Sequence, residues 1–326
     1  VGSEMCIRDR SHREGLATYF REFLRAHMKT WINDENNRKP DGSKYNLNTD
    51  GLKIYTTINY SMQEMAEKAV ASHMPRLQKE FFEQNETLDD SIAPFRELTS
   101  GAVDTLLRVS MRRSERWRKM KYDLKKNDEE IEESFYIPKE MTVFSWTGEI
   151  DTTMTPLDSM KYYKSFFRPG MMSMDPTNGY IKAWVGGMNY RHFQYDMVKK
   201  GKRQIGSTFK PFVYAAAIDQ LKLSPCDTFP DSQFCIEKNK FGNVEQWCPK
   251  NSGDKYGRTR TLKNALANSV NTITSRLMDR IGPRTVVKLA KDLGIKQRIL
   301  PVPSIALGTP DLSVYEMVAA LSLIHI

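Results

Sequence analysis

A serine followed three residues later by a lysine gives this sequence its first pair of side chains suited to covalent catalysis. Ser207 and Lys210 stand in the stretch Gly206-Ser207-Thr208-Phe209-Lys210, which opens an apolar helical pattern that runs to Leu221. On a helix, residues three apart lie on one face, one turn from each other. A neutral lysine amine within reach can take the proton of a serine hydroxyl and so make it a nucleophile. The spacing therefore predicts an acyl-accepting serine at a helix N-terminus, where negative charge on a reacting carbonyl oxygen is also favoured.

The S-x-x-K pattern occurs twice in the chain, so its context decides its meaning. Ser252-Gly253-Asp254-Lys255 lies among glycines and polar residues, which is typical of a loop. For Ser207 the alternative is a serine N-cap with Lys210 on an exposed helix face. The helix pattern alone leaves both interpretations open.

A second motif, Ser269-Val270-Asn271, is the only S-x-N in the chain. It stands where a predicted helix over about 262–267 gives way to another over 270–281. At such a joint a hydroxyl and a carboxamide can point into one cleft. The hydroxyl can relay a proton there, and the amide can bind a peptide carbonyl. Two polar residues that cap the second helix are the alternative.

The two motifs stand about sixty residues apart, and they are two of the three signatures of penicillin-binding proteins and serine β-lactamases. From about residue 12 onward the chain resembles the transpeptidase half of class A, bifunctional penicillin-binding proteins. The stretches that carry the resemblance are Met174-Asp175-Pro176, Gly179-Tyr180-Ile181-Lys182-Ala183-Trp184-Val185-Gly186-Gly187, Arg203-Gln204-Ile205-Gly206-Ser207-Thr208-Phe209-Lys210-Pro211-Phe212, Trp247 with Pro249 and Asn251, Thr261-Leu262-Lys263-Asn264-Ala265-Leu266, Asn268-Ser269-Val270-Asn271-Thr272 and Pro303-Ser304-Ile305-Ala306-Leu307-Gly308. Residues 12–31 resemble the linker that follows the glycosyltransferase domain in these proteins.

The resemblance implies a two-step acyl transfer on peptidoglycan stem peptides that end in D-Ala-D-Ala. The serine attacks the last peptide bond, and an amine of a neighbouring peptide then takes the acyl group to form a crosslink. The implied catalytic residues are Ser207 as nucleophile, Lys210 as base and Ser269 as proton relay. The implied substrate-binding residues are Asn271, Gly206, Trp247 and Asn251. β-Lactams are expected to acylate the same serine, and the resemblance implies neither a cofactor nor a metal.

The third signature of the family, K-T-G or K-S-G, does not occur in the 326 residues. In the family it lies on a later strand, where it binds the substrate carboxylate and supplies half of the oxyanion hole. The resemblance therefore implies a chain truncated at both ends. Its parent is expected to carry a glycosyltransferase domain and a membrane anchor at the periplasmic face of the bacterial inner membrane. We expect the 326 residues alone to be inactive and poorly folded.

Two other functions remain as alternatives. A serine β-lactamase shares Ser207 and Lys210, but no glutamate stands in a recognisable deacylation motif after Ser269. A non-catalytic β-lactam sensor or cell-wall scaffold would keep the fold without turnover.

The motif residues must be positioned by helices and strands, and the order of the predicted elements indicates an α+β chain. Residues 171–174 and 180–185 predict a hairpin that turns at Asp175-Pro176-Thr177-Asn178-Gly179. Helices are predicted over 207–221 and 284–293, and from Ser313, which forms a capping box with Glu316. Upstream, 52–58 alternates as a strand does and 61–77 predicts an amphipathic helix. The inward positions expected on that helix are Met62, Met65, Ala66, Ala69 and Val70.

The expected fold is β-lactamase/transpeptidase-like: a helical block against an antiparallel sheet whose C-terminal strands are missing, preceded by a helical and strand linker region. Three segments are predicted. Residues 1–10 are interpreted as a non-native scar, and residues 11–150 as a linker or pedestal region that follows a missing glycosyltransferase domain. Residues 151–326 are interpreted as a partial penicillin-binding transpeptidase domain. The last residues of that segment, 323–326, are interpreted as non-native, like residues 1–10.

Composition and charge narrow the class of partner. The net charge of +9 favours anionic partners. Much of this charge comes from residues 108–126, which contain nine Lys or Arg residues and only two acidic ones. An acidic run follows at once, and few aromatic residues are interleaved for base stacking. A solvated, partly self-neutralising helix is therefore predicted, and no nucleic-acid partner.

Four cysteines are present, and neither a C-x-x-C pair nor a histidine cluster accompanies them, so no zinc site is predicted. Cys235 and Cys248 flank a possible hairpin turning at Lys240-Phe241-Gly242-Asn243. In an oxidising compartment they can form a disulfide; free buried thiols are the alternative.

Overall fold

The computed structural model describes residues 15–85, 95 and 98–322. The helices, in chain order, are α1 (Thr18–Asn33), α2 (Tyr60–Asn85), α3 (Ser100–Arg113), α4 (Glu115–Arg118), α5 (Asp128–Glu133), α6 (Pro156–Lys164), α7 (Lys210–Leu221), α8 (Leu262–Ala267), α9 (Asn271–Ile281), α10 (Pro283–Asp292) and α11 (Val314–Leu321). The strands are β1 (Lys139–Ser145), β2 (Gly148–Met154), β3 (Met171–Met174), β4 (Ile181–Val185), β5 (Lys202–Gln204), β6 (Thr228–Pro230), β7 (Thr259–Thr261) and β8 (Asp311–Ser313). The segments 1–10 and 323–326 that the sequence singles out lie outside the described residues.

The described residues divide into two compact units. The first takes those up to Gln63, Gly170–Gly186 and those from Tyr195 onward; the second takes Glu64–Pro169 and Gly187–Gln194. In the described residues every named strand belongs to an antiparallel pair, and the pairs are β1 with β2, β3 with β4, β5 with β8, and β6 with β7. The mixture of helices and antiparallel strands is the α+β class predicted from the sequence.

The core of the first unit lies around α7 and α9. The apolar face of α7 includes Phe212 and Val213, and Ile273 and Leu277 of α9 are fully buried against the same cluster. Burying a side chain of this size stabilises the folded state by about 1.5–3 kcal/mol. This packing fixes the N-termini of α7 and α9, which carry the two sequence motifs.

In the second unit the basic segment is partly neutralised by the acidic run that follows it, as predicted. Arg108 lies 3.5 Å from Glu132, and Lys121 lies 2.8 Å from Asp128. These pairs are exposed, so each contributes little to stability. Beneath them the side chains that form a small core are Met111, Trp117, Ile131 and Phe135.

The hairpin 171–185 has the predicted form. Met171 pairs with Val185 and Met172 with Trp184. Asp175 closes its turn by accepting hydrogen bonds from the backbone and hydroxyl of Thr177, at 3.0 and 2.6 Å. The predicted capping box at the start of α11 is also present. The Ser313 hydroxyl accepts from the Glu316 backbone amide, and the Glu316 carboxylate accepts from the Ser313 backbone amide.

Two expectations about residues 52–77 are wrong. Residues 52–58 form no strand; their contacts with β4 include a hydrogen bond from the Thr57 hydroxyl to the Ile181 carbonyl, at 2.8 Å. Alternation and β-branched residues favour extended backbone, but a strand also needs a ladder partner, and this segment pairs with none of the described strands. The adjacent helix runs on to Asn85, well past the predicted end at residue 77.

The inward face of α2 also differs from the prediction. Met62 and Met65 are exposed, whereas Gln63 and Gln78 are almost completely buried, together with Ala66 and Met74. Each glutamine bonds to one backbone carbonyl and one backbone amide. Gln63 donates to the Trp184 carbonyl at 2.9 Å and accepts from the Trp184 amide at 2.7 Å. Ala66 lies inward as predicted, but a hydrophobic pattern cannot reveal Gln63 and Gln78, because they are polar.

Candidate active site

The turn that carries Ser207 is a single 3-10 turn, Gly206–Phe209, which leads directly into α7. Gly206 has a φ of +56°, and its amide donates to the Gly308 carbonyl at 2.9 Å. Gly308 lies so close that a Cβ atom there would sit 1.7 Å from the Gly206 carbonyl oxygen. The two glycines therefore fix the path of the backbone immediately before the serine.

The Ser207 side chain is exposed at the start of this turn, whereas Lys210, one turn on, is 1% exposed. No side-chain hydrogen bond of Ser207 to another described residue is formed. Such bonds in catalytic sites often form only when substrate is present. An accessible hydroxyl one helical turn from a buried amine fits the pairing of nucleophile and base that covalent catalysis uses.

Lys210 joins the two sequence motifs directly. Its Nζ donates to the Ser269 carbonyl at 2.6 Å, to the Ser269 hydroxyl at 2.9 Å and to the Asn271 amide oxygen at 2.6 Å. Burial lowers the pKa of Lys210 to about 8. At neutral pH roughly a tenth of such an amine is neutral, far more than for a lysine in water.

The three acceptors define how the site changes when Lys210 loses its proton. An ammonium group has three N–H donors, and a neutral amine has two and a lone pair. The Ser269 hydroxyl can both donate and accept, so it alone of the three acceptors can turn its hydrogen toward the amine. Deprotonation therefore converts the Lys210–Ser269 contact from N–H···O into O–H···N, which is the contact a proton relay requires.

Ser269 occupies the joint between α8 and α9 in a left-handed conformation, with a φ of +55°. Its amide donates to the Leu266 carbonyl at 3.0 Å, and the Val270 amide donates to the Ala265 carbonyl at 2.9 Å. A non-glycine residue in this region is strained by about 1–2 kcal/mol. Such strain is often found at functional sites, where the surrounding structure holds it.

Asn271 is the first residue of α9. Its side-chain amide donates to the Lys250 carbonyl at 2.7 Å while its oxygen accepts from Lys210. Asn251 lies beside it and accepts from the backbone amides of Asn271 and Thr272, at 2.9 and 3.2 Å. The structure thus brings together four of the residues named from the sequence: Lys210, Ser269, Asn271 and Asn251.

Trp247 forms no hydrogen bond with these four residues. It is half-buried against the apolar core and exchanges two backbone hydrogen bonds with Ile236, both 2.9 Å. The pair lies directly inside a disulfide between Cys235 and Cys248, so the bond that the sequence left open is formed. Cys226 is free and exposed.

The second S-x-x-K lies elsewhere and in a different setting. Ser252–Asp254 is a short 3-10 turn with all of its side chains exposed, and Lys255 is exposed as well. Gly253 within it has a φ of +68°, so no helix continues from this serine. The loop predicted there is confirmed.

One buried acidic residue next to this site was not predicted. Asp231 is fully buried and accepts hydrogen bonds from four groups. The donors are Asn251 at 2.7 Å, Thr272 at 2.8 Å, the Gly257 amide at 2.9 Å and Arg260 at 2.7 Å. The sequence offers no signal for it, because a single aspartate after a proline is typical of an exposed turn.

Comparison with known families accounts for both the fold and the motifs. Residues 90–167 match the penicillin-binding protein middle domain, and residues 170–302 match the penicillin binding protein transpeptidase domain. The chain belongs to the penicillin-binding proteins, and its motif-bearing part is their transpeptidase domain.

Within that family it is similar to penicillin-binding proteins 1A. It is 27% identical to the protein of Aquifex aeolicus over 82% of this chain and 36% of that protein. It is 24% identical to that of Haemophilus influenzae over 93% of this chain and 35% of that protein. The crystal structure of penicillin-binding protein 1A from Haemophilus influenzae has the same fold, with a TM-score of 0.57, 21% identity and coverage of 94% of this chain and 46% of that one.

The chain thus spans about a third of the length of these curated relatives. The comparisons confirm the predicted family and the β-lactamase/transpeptidase-like fold. In the described residues no helix is long and apolar enough to cross a bilayer, and no group of three or more metal-ligating side chains is found.

Proposed function

We propose that this chain carries the D,D-transpeptidase centre of a peptidoglycan synthase, with Ser207 as its nucleophile. The observation that carries the proposal is the buried amine of Lys210, which lies one turn from Ser207 and is hydrogen-bonded to both Ser269 and Asn271. The groups that we assign as base, proton relay and amide ligand are thereby joined to one another, and the exposed Ser207 lies one helical turn from the base. The membership of the transpeptidase family supports the same reaction.

In the first half of the reaction, Ser207 Oγ attacks the carbonyl carbon of the penultimate D-alanine of a stem peptide. The neutral amine of Lys210 takes the hydroxyl proton as the new C–O bond forms. The C–N bond to the last D-alanine then breaks, and its nitrogen receives a proton through Ser269. The products are an acyl-serine ester and free D-alanine.

In the second half, an amine of a neighbouring stem peptide attacks the ester carbonyl. The ester C–O bond breaks, a new amide bond forms, and the proton of the amine returns to Ser207 Oγ through the same groups. Asn271 holds the substrate amide in both steps, with Asn251 supporting it, and Gly206 and Trp247 border the peptide. A β-lactam enters the first half of this sequence and remains on Ser207.

The cellular setting is part of the same proposal. The enzyme acts at the periplasmic face of the bacterial inner membrane on peptidoglycan stem peptides, in a protein that also carries a membrane anchor and a glycosyltransferase domain. Residues 11–150 serve as the linker or pedestal region, and residues 151–326 belong to the transpeptidase domain. The non-native character of residues 1–10 belongs to the same set of proposals.

A polypeptide of only these 326 residues is expected to lack turnover. It contains no Lys-Thr-Gly or Lys-Ser-Gly, and in the family this motif supplies one oxyanion donor and binds the substrate carboxylate. Loss of one oxyanion donor typically lowers the rate by about 10²–10³. A stable fluorescent-penicillin adduct on the purified 326-residue polypeptide, lost on Ser207→Ala, would contradict this expectation.

The function is tested in the full-length gene product that contains these residues. Fluorescent penicillin should label it covalently, Ser207→Ala should abolish the label, and Ser252→Ala, in the second S-x-x-K, should leave it intact. The purified protein should also release D-alanine and crosslink stem peptides. Labelling that survives Ser207→Ala would overturn the assignment, and an adduct that hydrolyses within seconds rather than hours would indicate a β-lactamase.

A further inference from the structure

Asp231 is a buried carboxylate that connects three separate segments of the first unit. It follows β6 and is fully buried. One oxygen accepts from Asn251 and from Thr272, the second residue of α9. The other accepts from the Gly257 amide and from Arg260 of β7. A buried carboxylate is stable only when it is so fully hydrogen-bonded.

These contacts also set the charge of the group. Burial acts to raise the pKa of the Asp231 carboxyl, but the four hydrogen bonds together outweigh it, and the pKa lies below its ordinary value. Asp231 is therefore an anion at neutral pH, paired with Arg260 at 2.7 Å.

The orientation of Asn251 follows from the charge of Asp231. A carboxylate accepts hydrogen bonds and cannot donate them, so the NH₂ group of Asn251 must face it. The Asn251 oxygen then faces the other way and accepts from the first two amides of α9. That helix has no capping side chain of its own, since Val270 stands at its N-cap. Asn251 supplies the missing cap from a distant loop.

The chain of contacts ends at the proposed catalytic base. Asn251 holds the backbone of Asn271, whose side chain accepts from Lys210 at 2.6 Å. If Asn251 turned over, its NH₂ group would face the two helix amides, donor against donor, and the start of α9 would shift. Displacements of about 1 Å in a catalytic arrangement can lower a rate by roughly 100-fold.

We propose that Asp231 is a positioning residue for the acyl transfer: it fixes Asn251 and Thr272 so that Asn271 presents its amide oxygen to Lys210. The inference rests on the proposed function of Ser207 and Lys210. It assigns Asp231 no contact with substrate. The Cys235–Cys248 disulfide lies just before Lys250 and Asn251 in the chain, so it restrains the same loop covalently.

The test compares Asp231→Asn with Phe229→Leu in the full-length gene product. The asparagine has nearly the same shape, but its NH₂ group must face donors whichever way it turns. The second-order rate of Ser207 acylation by fluorescent penicillin is expected to fall roughly 10- to 100-fold. The pH midpoint of that rate should also move below the unsubstituted value, because Lys210 loses a well-placed acceptor, the Asn271 amide oxygen, that favours its charged form.

Phe229 is the matched control, since it is buried in β6 two residues before Asp231, where its ring packs in the apolar core and lies 4.9 Å from the Arg280 guanidinium. Phe229→Leu should lower the melting temperature but leave the acylation rate and its pH midpoint close to those of the unsubstituted protein. Thr272→Val removes only one of the four hydrogen bonds and should give a smaller fall with the same direction of midpoint shift. It keeps the test decisive if Asp231→Asn does not fold.

An unchanged rate and midpoint in folded Asp231→Asn, or in Thr272→Val, would overturn the positioning role. An equal fall in Phe229→Leu would overturn it too, because any loss of stability would then suffice. If the unsubstituted protein formed no adduct on Ser207, the proposed function itself would fail, and Asp231 would have no such reaction to support.

Discussion

Lys210 Nζ lies 2.9 Å from Ser269 Oγ, although 59 residues separate the two in the chain. The contact joins the S-x-x-K and S-x-N motifs into one group. Its geometry depends on the packing of α7, which places Lys210, and on the strained joint before α9, which places Ser269. The amine is buried, and its neighbours are a carbonyl, a hydroxyl and an amide, none of which carries a charge.

The rate of Ser207 acylation should depend on the protonation of Lys210. Since burial lowers the pKa of Lys210 to about 8, the rate should rise about tenfold per pH unit below that value and level off above it. The measurement is the second-order rate of fluorescent-penicillin labelling of the full-length gene product between pH 6 and 9, with roughly half-unit steps.

Lys210→Arg is the matched control for this profile. A guanidinium keeps the positive charge but stays protonated throughout the range, so labelling should be lost at every pH. A flat profile in the unsubstituted protein, or normal labelling of Lys210→Arg, would show that the amine is not the base.

Gly308→Ala should destabilise the protein far more than Gly206→Ala. Both glycines have positive φ, but a Cβ at Gly308 meets the Gly206 carbonyl at 1.7 Å, while a Cβ at Gly206 meets no atom within 4 Å. The expected loss is at least about 3 kcal/mol for Gly308→Ala, from overpacking and strain together, and about 1–2 kcal/mol for Gly206→Ala, from strain alone. Urea unfolding of the two variants measures the difference; equal losses would count against the close approach.

The double substitution Cys235→Ser with Cys248→Ser should lower stability by about 3 kcal/mol, as expected for a closed loop of this size. Cys226→Ser, at an exposed free thiol, should leave stability unchanged. Mass spectrometry after alkylation of the unreduced, denatured protein should find Cys235 and Cys248 unmodified. Alkylation of both would mean that no bond forms between them.

Gln63→Leu should lower stability by at least about 2 kcal/mol, because it leaves the buried amide and carbonyl of Trp184 without their partner. Met65→Ala lies on the same helix at a residue that is 60% exposed, and it should change stability by no more than about 0.5 kcal/mol. The free energies of unfolding of the two variants, measured in urea, show whether Gln63 or Met65 lies on the buried face of α2. A larger loss in Met65→Ala would favour the predicted face.

The sequence by itself determined the family, the α+β class, the hairpin 171–185 and the helices that carry the two motifs. These features depend on local signals: the turn residues after Asp175, the capping box of Ser313 and Glu316, and apolar periodicity. Each signal acts over a few residues, so it can be read without knowing what lies across the fold.

Only the tertiary structure decided which groups meet. The burial of Gln63, the fully bonded carboxylate of Asp231 and the three acceptors of Lys210 all depend on partners far away in sequence. Polar residues are expected at the surface, so a pattern of hydrophobicity assigns them there by default. They lie inside because each finds the hydrogen-bond partners that burial requires, and only the packed chain brings those partners together.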